Sequence, residues 1–224
     1  YGRLIDKKHS LKERRDWAKN LIPTYSSVVF FATVDSSVIP ESTTPVEMII
    51  GNPDSIDETE ITVYIHSIDD KPLCPAKNHV IVAIGPSFKS WPDFREGTYR
   101  TKDYLKQKDM EINRMLDVLE RNYPGFKKGL KFAEISSPTT IQRYTLKNKG
   151  SVARPIQSLG HHMFKRLHIK TEWENLYCCG ESTAMGTGSP AVSVSGISAA
   201  NAILKKASKE QFFYKKEMKN YVNF

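Results

Sequence analysis

Four short apolar runs, at residues 27–34 (SVVFFATV), 45–51, 61–67 and 79–85, constrain the fold of this chain more than any other feature. Each is rich in β-branched or aromatic residues and is bounded by Asn, Asp, Ser or Pro, which is the composition of strands and their turns. In ITVYIHS, side chains alternate across the pleat, so Ile61, Val63 and Ile65 fall on one face and Thr62, Tyr64 and His66 on the other. Short Pro-containing connections join antiparallel neighbours, and the alternation predicts a sheet with one covered face.

Helical periodicity flanks these runs. Residues 11–21 read as a helix with Ser10 as its N-cap and Pro23 beyond its end. Residues 101–122 place Met110, Ile112, Met115, Leu116, Val118 and Leu119 on one side, and NYPG stops the pattern. A fifth strand is expected near 131–136, and SSPTT after it suits a turn or a helix start. Residues 150–170 are irregular and carry Gly, Pro and His. These signals predict a mostly antiparallel sheet with helices over residues 1–137, an α+β domain, followed by a second part at 138–204 with α/β character and a basic helix or tail at 205–224.

Composition removes several function classes. At 39% apolar and 26% charged residues the chain is an ordinary globular sequence, and no run approaches the length needed to span a bilayer as a helix. The opening YGRLIDKKHS has no apolar signal core and no initiating Met, and it reads as mid-domain, so the chain is expected to be a piece of a larger protein. Three cysteines, two of them adjacent at Cys178 and Cys179, make a poor disulfide framework and point to reduced thiols in the cytoplasm. No Cys/His spacing fits a metal site, and His161, His162 and His168 match no common ligand pattern. The formal charge of +8 is spread over separated groups, which reads as solvated faces rather than a nucleic-acid surface. The tail KKASKEQFFYKKEMKNYVNF interleaves basic and aromatic residues, a pattern suited to a peripheral position on an anionic membrane surface.

The segment that carries chemistry is NLYCCGESTAMGTGSPAVSVSGISAANAIL, residues 175–204. It parses as a strand at 176–179, a loop opened by Gly180 and Glu181, and a helix with Ser189 as N-cap and Pro190 in its first turn. Free N–H groups and the positive dipole end at residues 190–192 favour an anionic or carbonyl oxygen, and a carboxylate at a strand end suits ribose or ribityl hydroxyls. Any α/β protein has strand-to-helix turns with Gly and Ser, so the pattern alone leaves both readings open. Residues 186–191 match G-x-G-x-x-A formally, but the strand ends too early and no acidic second strand follows, so the match is accidental. No Lys-Ser or Lys-Thr follows the glycines, which excludes a Walker-type phosphate loop.

SPTTIQRYT at 137–145, KGSVARPI at 149–156 and the whole of 175–204 together resemble the end of the phytoene desaturase, carotenoid isomerase and retinol saturase family of amine-oxidase-like flavoproteins. The resemblance implies an FAD-dependent oxidoreductase that desaturates, saturates or isomerises a long apolar polyene or isoprenoid. It implies a flavin-contacting set of Gly180, Glu181, Gly188, Ser189, Pro190, Ala191 and Val192. Glu181 would bond the ribityl or adjoining phosphate region, and 188–192 would face the pyrimidine edge of the ring. Ala191 departs from the family pattern, where Gly is usual. The family's strand–GxGxxG–helix, which holds the adenosine diphosphate of FAD, is not in this sequence, so the implied partner is an N-terminal Rossmann half in cis or in trans, with weak or no FAD binding by this chain alone. The flavin carries the hydride, and no catalytic acid or base is assigned. Tyr64, Arg143, Tyr144 and Arg154 are candidates to line a substrate path, against a packing or solvated role. The competing expectation is a non-catalytic interaction module derived from such a flavoprotein.

Overall fold

The computed structural model describes residues 5–151 and 155–215. In chain order its elements are α1 (Lys12–Asn20), β1 (Ser26–Asp35), β2 (Val46–Ile49), β3 (Ile61–Tyr64), β4 (Asn78–Ser87), α2 (Lys102–Asn122), α3 (Phe126–Gly129), β5 (Leu130–Ser136), α4 (Pro138–Thr145) and α5 (Ser189–Lys206). They divide into two compact units, Tyr25–Val152 and Tyr1–Thr24 with Ala153–Phe224.

The unit Tyr25–Val152 is an antiparallel five-stranded sheet in the order β2-β3-β4-β1-β5, so the mixed α+β class expected from the sequence is what the chain adopts. The two longest strands, β1 and β4, pair from Ser26↔Ser87 to Asp35↔Asn78 and form its centre. Alternation then fixes the core. Val28, Phe30, Ala32 and Val34 of β1, Ile81 and Ala83 of β4, and Ile61 and Val63 of β3 are buried on one face. Met115, Leu116 and Leu119 of α2 and Phe126 of α3 are buried in the same cluster. Thr101 caps α2, its Oγ1 accepting from the Tyr104 N–H at 3.3 Å. The SSPTT signal resolves into a helix start, with Ser137 Oγ accepting from the Thr140 N–H at 3.2 Å and Pro138 in the first turn.

The opposite sheet face is also apolar and is open. By register it carries Val29 and Phe31 of β1, Val82 and Ile84 of β4, Met48 of β2 and Phe132 of β5. Phe31, Ile84, Met48 and Phe132 are all exposed.

One buried charge cluster lies at an edge of the core. Glu111 of α2 is 0% exposed and accepts from Arg114 Nε at 2.9 Å, with Lys89 as its second ion-pair partner. Arg114 in turn donates to the Glu58 and Pro86 carbonyls, so the network ties α2 to the chain entering β3 and the end of β4.

The second unit carries little regular structure. The Ile156 N–H donates to the Ile22 carbonyl at 2.9 Å and Trp173 Nε1 to the His9 carbonyl at 3.0 Å, joining its two chain segments. Two sequence expectations are corrected here. Residues 176–179 do not form a strand: they make one isolated bridge, Lys170↔Tyr177, with the Cys178 N–H donating to the Ile169 carbonyl, while Leu176 sits in a turn, its N–H donating to the Trp173 carbonyl and its carbonyl accepting from Thr171 Oγ1. A strand exists only beside a partner, and among the described residues none extends along this run. Nor does Ser10 cap α1, whose N-cap is Leu11. Ser10 Oγ is taken by Arg15 Nη1 at 2.9 Å. Among the described residues no helix is long and apolar enough to cross a membrane.

Candidate functional site

The loop from Gly180 to Gly188 is held from beneath by two buried side chains. Ser195, inside α5, accepts from the Gly180 N–H at 2.8 Å and donates to the Val192 carbonyl at 2.8 Å, which fixes the loop's first residue against the helix. Arg166 is the second. It is 3% exposed and spreads its guanidinium over three carbonyls: Nε to Thr183 at 2.8 Å, Nη1 to Pro155 at 2.7 Å, and Nη2 to Glu181. Burial pulls Arg166 below its ordinary pKa, and the nearby Glu181 carboxylate opposes that shift. Guanidinium basicity is high enough that the group stays a cation, with its fork of donors satisfied by the loop.

Gly180 turns the chain at φ 105°, and a Cβ built there would meet no atom within 4 Å. Glycine is therefore required by the backbone, and the space above it is open. Its carbonyl accepts from both the Thr183 N–H, at 3.1 Å, and Thr183 Oγ1, at 2.7 Å, closing a tight turn. Glu181, the next residue, is half-buried.

At the far end of the loop Gly188 is the N-cap of α5, at φ 93° and ψ 150°, a region open essentially to glycine alone. This overturns the sequence assignment of Ser189 as the cap, because the cap conformation required here is one that serine cannot adopt without strain. Ser189 is instead the first helical residue and Pro190 follows it. The first helical bond runs from the Val192 N–H to the Gly188 carbonyl at 3.0 Å, and no side chain caps the start. The N–H groups of Ser189 and Ala191 precede that bond and have no place in the helix ladder. Gly188, Ser189 and Pro190 are exposed, while Ala191 and Val192 are half-buried. The chain thus presents an uncapped start to an 18-residue helix, with a bare glycine tied to the same helix through Ser195. Such a start can accept a carbonyl or anionic oxygen.

α5 itself has an unusual surface. Only Ser195 and Ala199 are buried, yet Val194 and Ile197, neighbours on one side of the helix, and Ile203 are each more than 40% exposed. Ser198, Asn201 and Lys205 share one side of the helix, so α5 is apolar over part of its circumference only.

The remaining sequence candidates lie elsewhere. Arg143 and Tyr144 are on α4, and Tyr64 stacks on His66 with ring centroids 5.9 Å apart in the sheet unit. Arg154 lies outside the described residues, as do residues 216–224 of the basic tail. Burial raises the Cys178 thiol above its ordinary pKa, the reverse of what a nucleophile needs. Among the described residues no group of three or more His, Cys, Asp or Glu side chains is arranged to hold a metal ion. Arg166 and Ser195 were not visible to sequence reasoning, since a lone Arg in KRLHIK and one Ser among several in α5 carry no distinguishing pattern.

No family model matches this chain. It is similar to the chloroplastic prolycopene isomerase of Daucus carota, 25% identical over 216 residues, which is 94% of this chain and 34% of the isomerase. The chloroplastic prolycopene isomerase of Arabidopsis thaliana is 24% identical over 208 residues, 91% of this chain and 34% of that protein. The resemblance to carotenoid isomerases drawn from 137–204 is borne out, and the similarity extends over nearly the whole chain. The chain spans about a third of the length of the curated relatives it matches. An oxidoreductase from Methanosarcina mazei overlays with a TM-score of 0.49 and 13% identity, over 86% of this chain and 38% of that structure.

Proposed function

We propose that this chain is the C-terminal part of an FAD-dependent oxidoreductase acting on a long apolar polyene or isoprenoid-like compound, by desaturation, saturation or isomerisation. The observation that carries the reading is the uncapped start of α5, entered through Gly188 in a glycine-only conformation, in a chain similar to prolycopene isomerases along its length. Bound flavin supplies the hydride chemistry. The chain's own part is to hold and orient it. The Ser189 and Ala191 N–H groups would donate to oxygens of the ring, Gly180 would leave room for close approach, and Glu181 would accept from ribityl hydroxyls. Pro190 and Val192 pack beside them, and Arg166 keeps the loop in place. The open apolar sheet face of Phe31, Ile84, Met48 and Phe132 suits an apolar substrate. Exposed Phe213 and Tyr214 beside Lys209 and Lys215 suit a peripheral place at an anionic membrane surface.

The exposed apolar surface of α5, at Val194, Ile197 and Ile203, favours a partner half that carries the nucleotide-binding strand–turn–helix, in the same chain or another. It equally favours the second reading, a non-catalytic interaction module. The visible absorbance spectrum of this chain with FAD, alone and with the N-terminal Rossmann half of the same protein, separates them. Bound-flavin bands that appear only with that half, and weaken in Glu181→Ala, support the flavoenzyme. No bands in either sample, or bands indifferent to Glu181→Ala, overturn the assignment.

A further inference from the structure

A cleft of about 230 Å³ opens in the sheet unit between α4, the first turns of α2 and the turn that precedes α2. Three cations line it, Arg100, Lys108 and Arg143, and no Asp or Glu does. Their arrangement is specific. The Arg100 and Arg143 guanidinium carbons lie 5.3 and 5.2 Å from the centroid of the same ring, Tyr99, and Arg143 is also 5.4 Å from the Tyr144 ring. Cation–π attraction draws both guanidinium groups over the ring and uses none of their N–H donors on a carboxylate.

Among the described residues none of these three cations forms an ion pair with a carboxylate, whereas Lys12, Arg95, Lys127 and Lys206 each do. Like charges gathered without a counter-ion repel one another, and an anion between them relieves that repulsion. Two guanidinium forks and an ammonium match a multiply charged phosphate better than a single carboxylate, because phosphate offers several oxygens for paired N–H donors. The cleft is smaller than the roughly 300–1,000 Å³ typical of sites that enclose a drug-sized molecule. It therefore takes a head group and leaves the rest of the ligand outside. At the opening, Leu105 and Tyr144 are exposed, Tyr144 by 75%, and give that remainder an apolar rim.

We infer that this cleft binds the phosphate or diphosphate group of a phosphorylated ligand, with Arg100, Lys108 and Arg143 as its donors. The inference does not rest on the flavoprotein reading, and no flavin enters its test. Binding of inorganic pyrophosphate to the full chain is measured by calorimetry at low salt. Binding to phosphatidylcholine vesicles, with and without phosphatidic acid, is measured by sedimentation. Each measurement compares the parent, Arg100→Gln/Arg143→Gln, and the control Lys128→Gln/Lys131→Gln, which removes the same charge from exposed positions. Arg100 and Arg143 are themselves exposed, so their loss leaves the core untouched.

The expected result is that the arginine pair variant weakens pyrophosphate binding by about a hundredfold, about tenfold for each charge-assisted contact, while the control changes little. If only pyrophosphate binding depends on the arginines, the ligand is a free phosphorylated compound. If binding to phosphatidic acid vesicles depends on them as well, it is a lipid head group. Equal behaviour of the arginine variant and the control with both probes, or no binding of either probe to the parent, overturns the site.

Discussion

Glu111→Gln removes the one fully buried carboxylate of α2 while keeping its shape, and the structure sets the size of the effect. The parent carboxylate faces Arg114, whose side chain is only 15% exposed, and Lys89, which is 33% exposed. Lys89 can turn to water when its partner is lost. Arg114 cannot do so freely and is left as a mostly buried cation, though it keeps the Glu58 and Pro86 carbonyls. Removing one partner of a buried pair costs about 3–5 kcal/mol, and the retained carbonyls place this case near about 3 kcal/mol. With a urea dependence of about 2 kcal/mol per molar, the unfolding midpoint of the sheet unit falls by about 1.5 M. Trp91 reports on that unit, since it packs on the core and donates to Ser87 Oγ at 2.9 Å, once Trp17 and Trp173 are replaced by Phe. A companion variant, Lys89→Met/Glu111→Leu/Arg114→Leu, exchanges the whole network for apolar groups and should return to within about 1 kcal/mol of the parent. A midpoint shift under about 0.5 M for Glu111→Gln would refute the argument that an unpaired buried charge governs this contact.

Three further outcomes are expected. Gly188→Ala forces a Cβ into a glycine-only conformation and should destabilise the second unit by about 1–3 kcal/mol, read from Trp173 fluorescence in urea; an unchanged midpoint refutes the strain. Arg166→Met withdraws donors from three carbonyls at a cost of at least about 3 kcal/mol, and should speed hydrogen exchange at the Thr183 and Gly186 amides; unchanged exchange refutes the clamp. Burial holds His79 below its ordinary pKa of 6.5, with Nδ1 at 2.9 Å from Ser67 Oγ. The unfolded chain then takes up this proton first, so the stabilisation is complete above pH 6.5 and is lost as the pH falls from there through the lower folded value. His79→Asn should flatten the stability profile of the sheet unit as the pH falls below 6.5, and parallel profiles refute the coupling.

The sheet was legible because strand composition and alternation are local signals: in ITVYIHS, Ile61, Val63 and Ile65 name the buried face before any partner is known, whereas in SVVFFATV, apolar on both faces, only the strand itself could be read. The run 176–179 shows the limit of that signal. Apolar residues announce that a segment can be a strand, whereas a strand also needs an extended neighbour, and sequence pattern does not supply one. Both misplaced caps have the same origin. Ser10 and Ser189 are good capping residues, but Arg15 claims the first and the backbone at Gly188 pre-empts the second, and each competition is decided by geometry. The helix start at 188–192 was readable from Gly, Ser and Pro in order. The clamp at Arg166 was not, because its three carbonyl partners are remote in sequence and carbonyls have no residue signature. The cleft was half visible: Arg143 and Tyr144 drew notice as candidates to line a substrate path, and only the packing of α4 beside α2 brings Arg100 and Tyr99 to them.

The apolar side chains that α5 leaves exposed bear on how the chain fares in a cell. Val194, Ile197 and Ile203 are the kind of surface that chaperones hold and quality-control proteases select. Anything that covers them should raise the steady-state amount of the chain, and substituting them by polar residues should have the same effect.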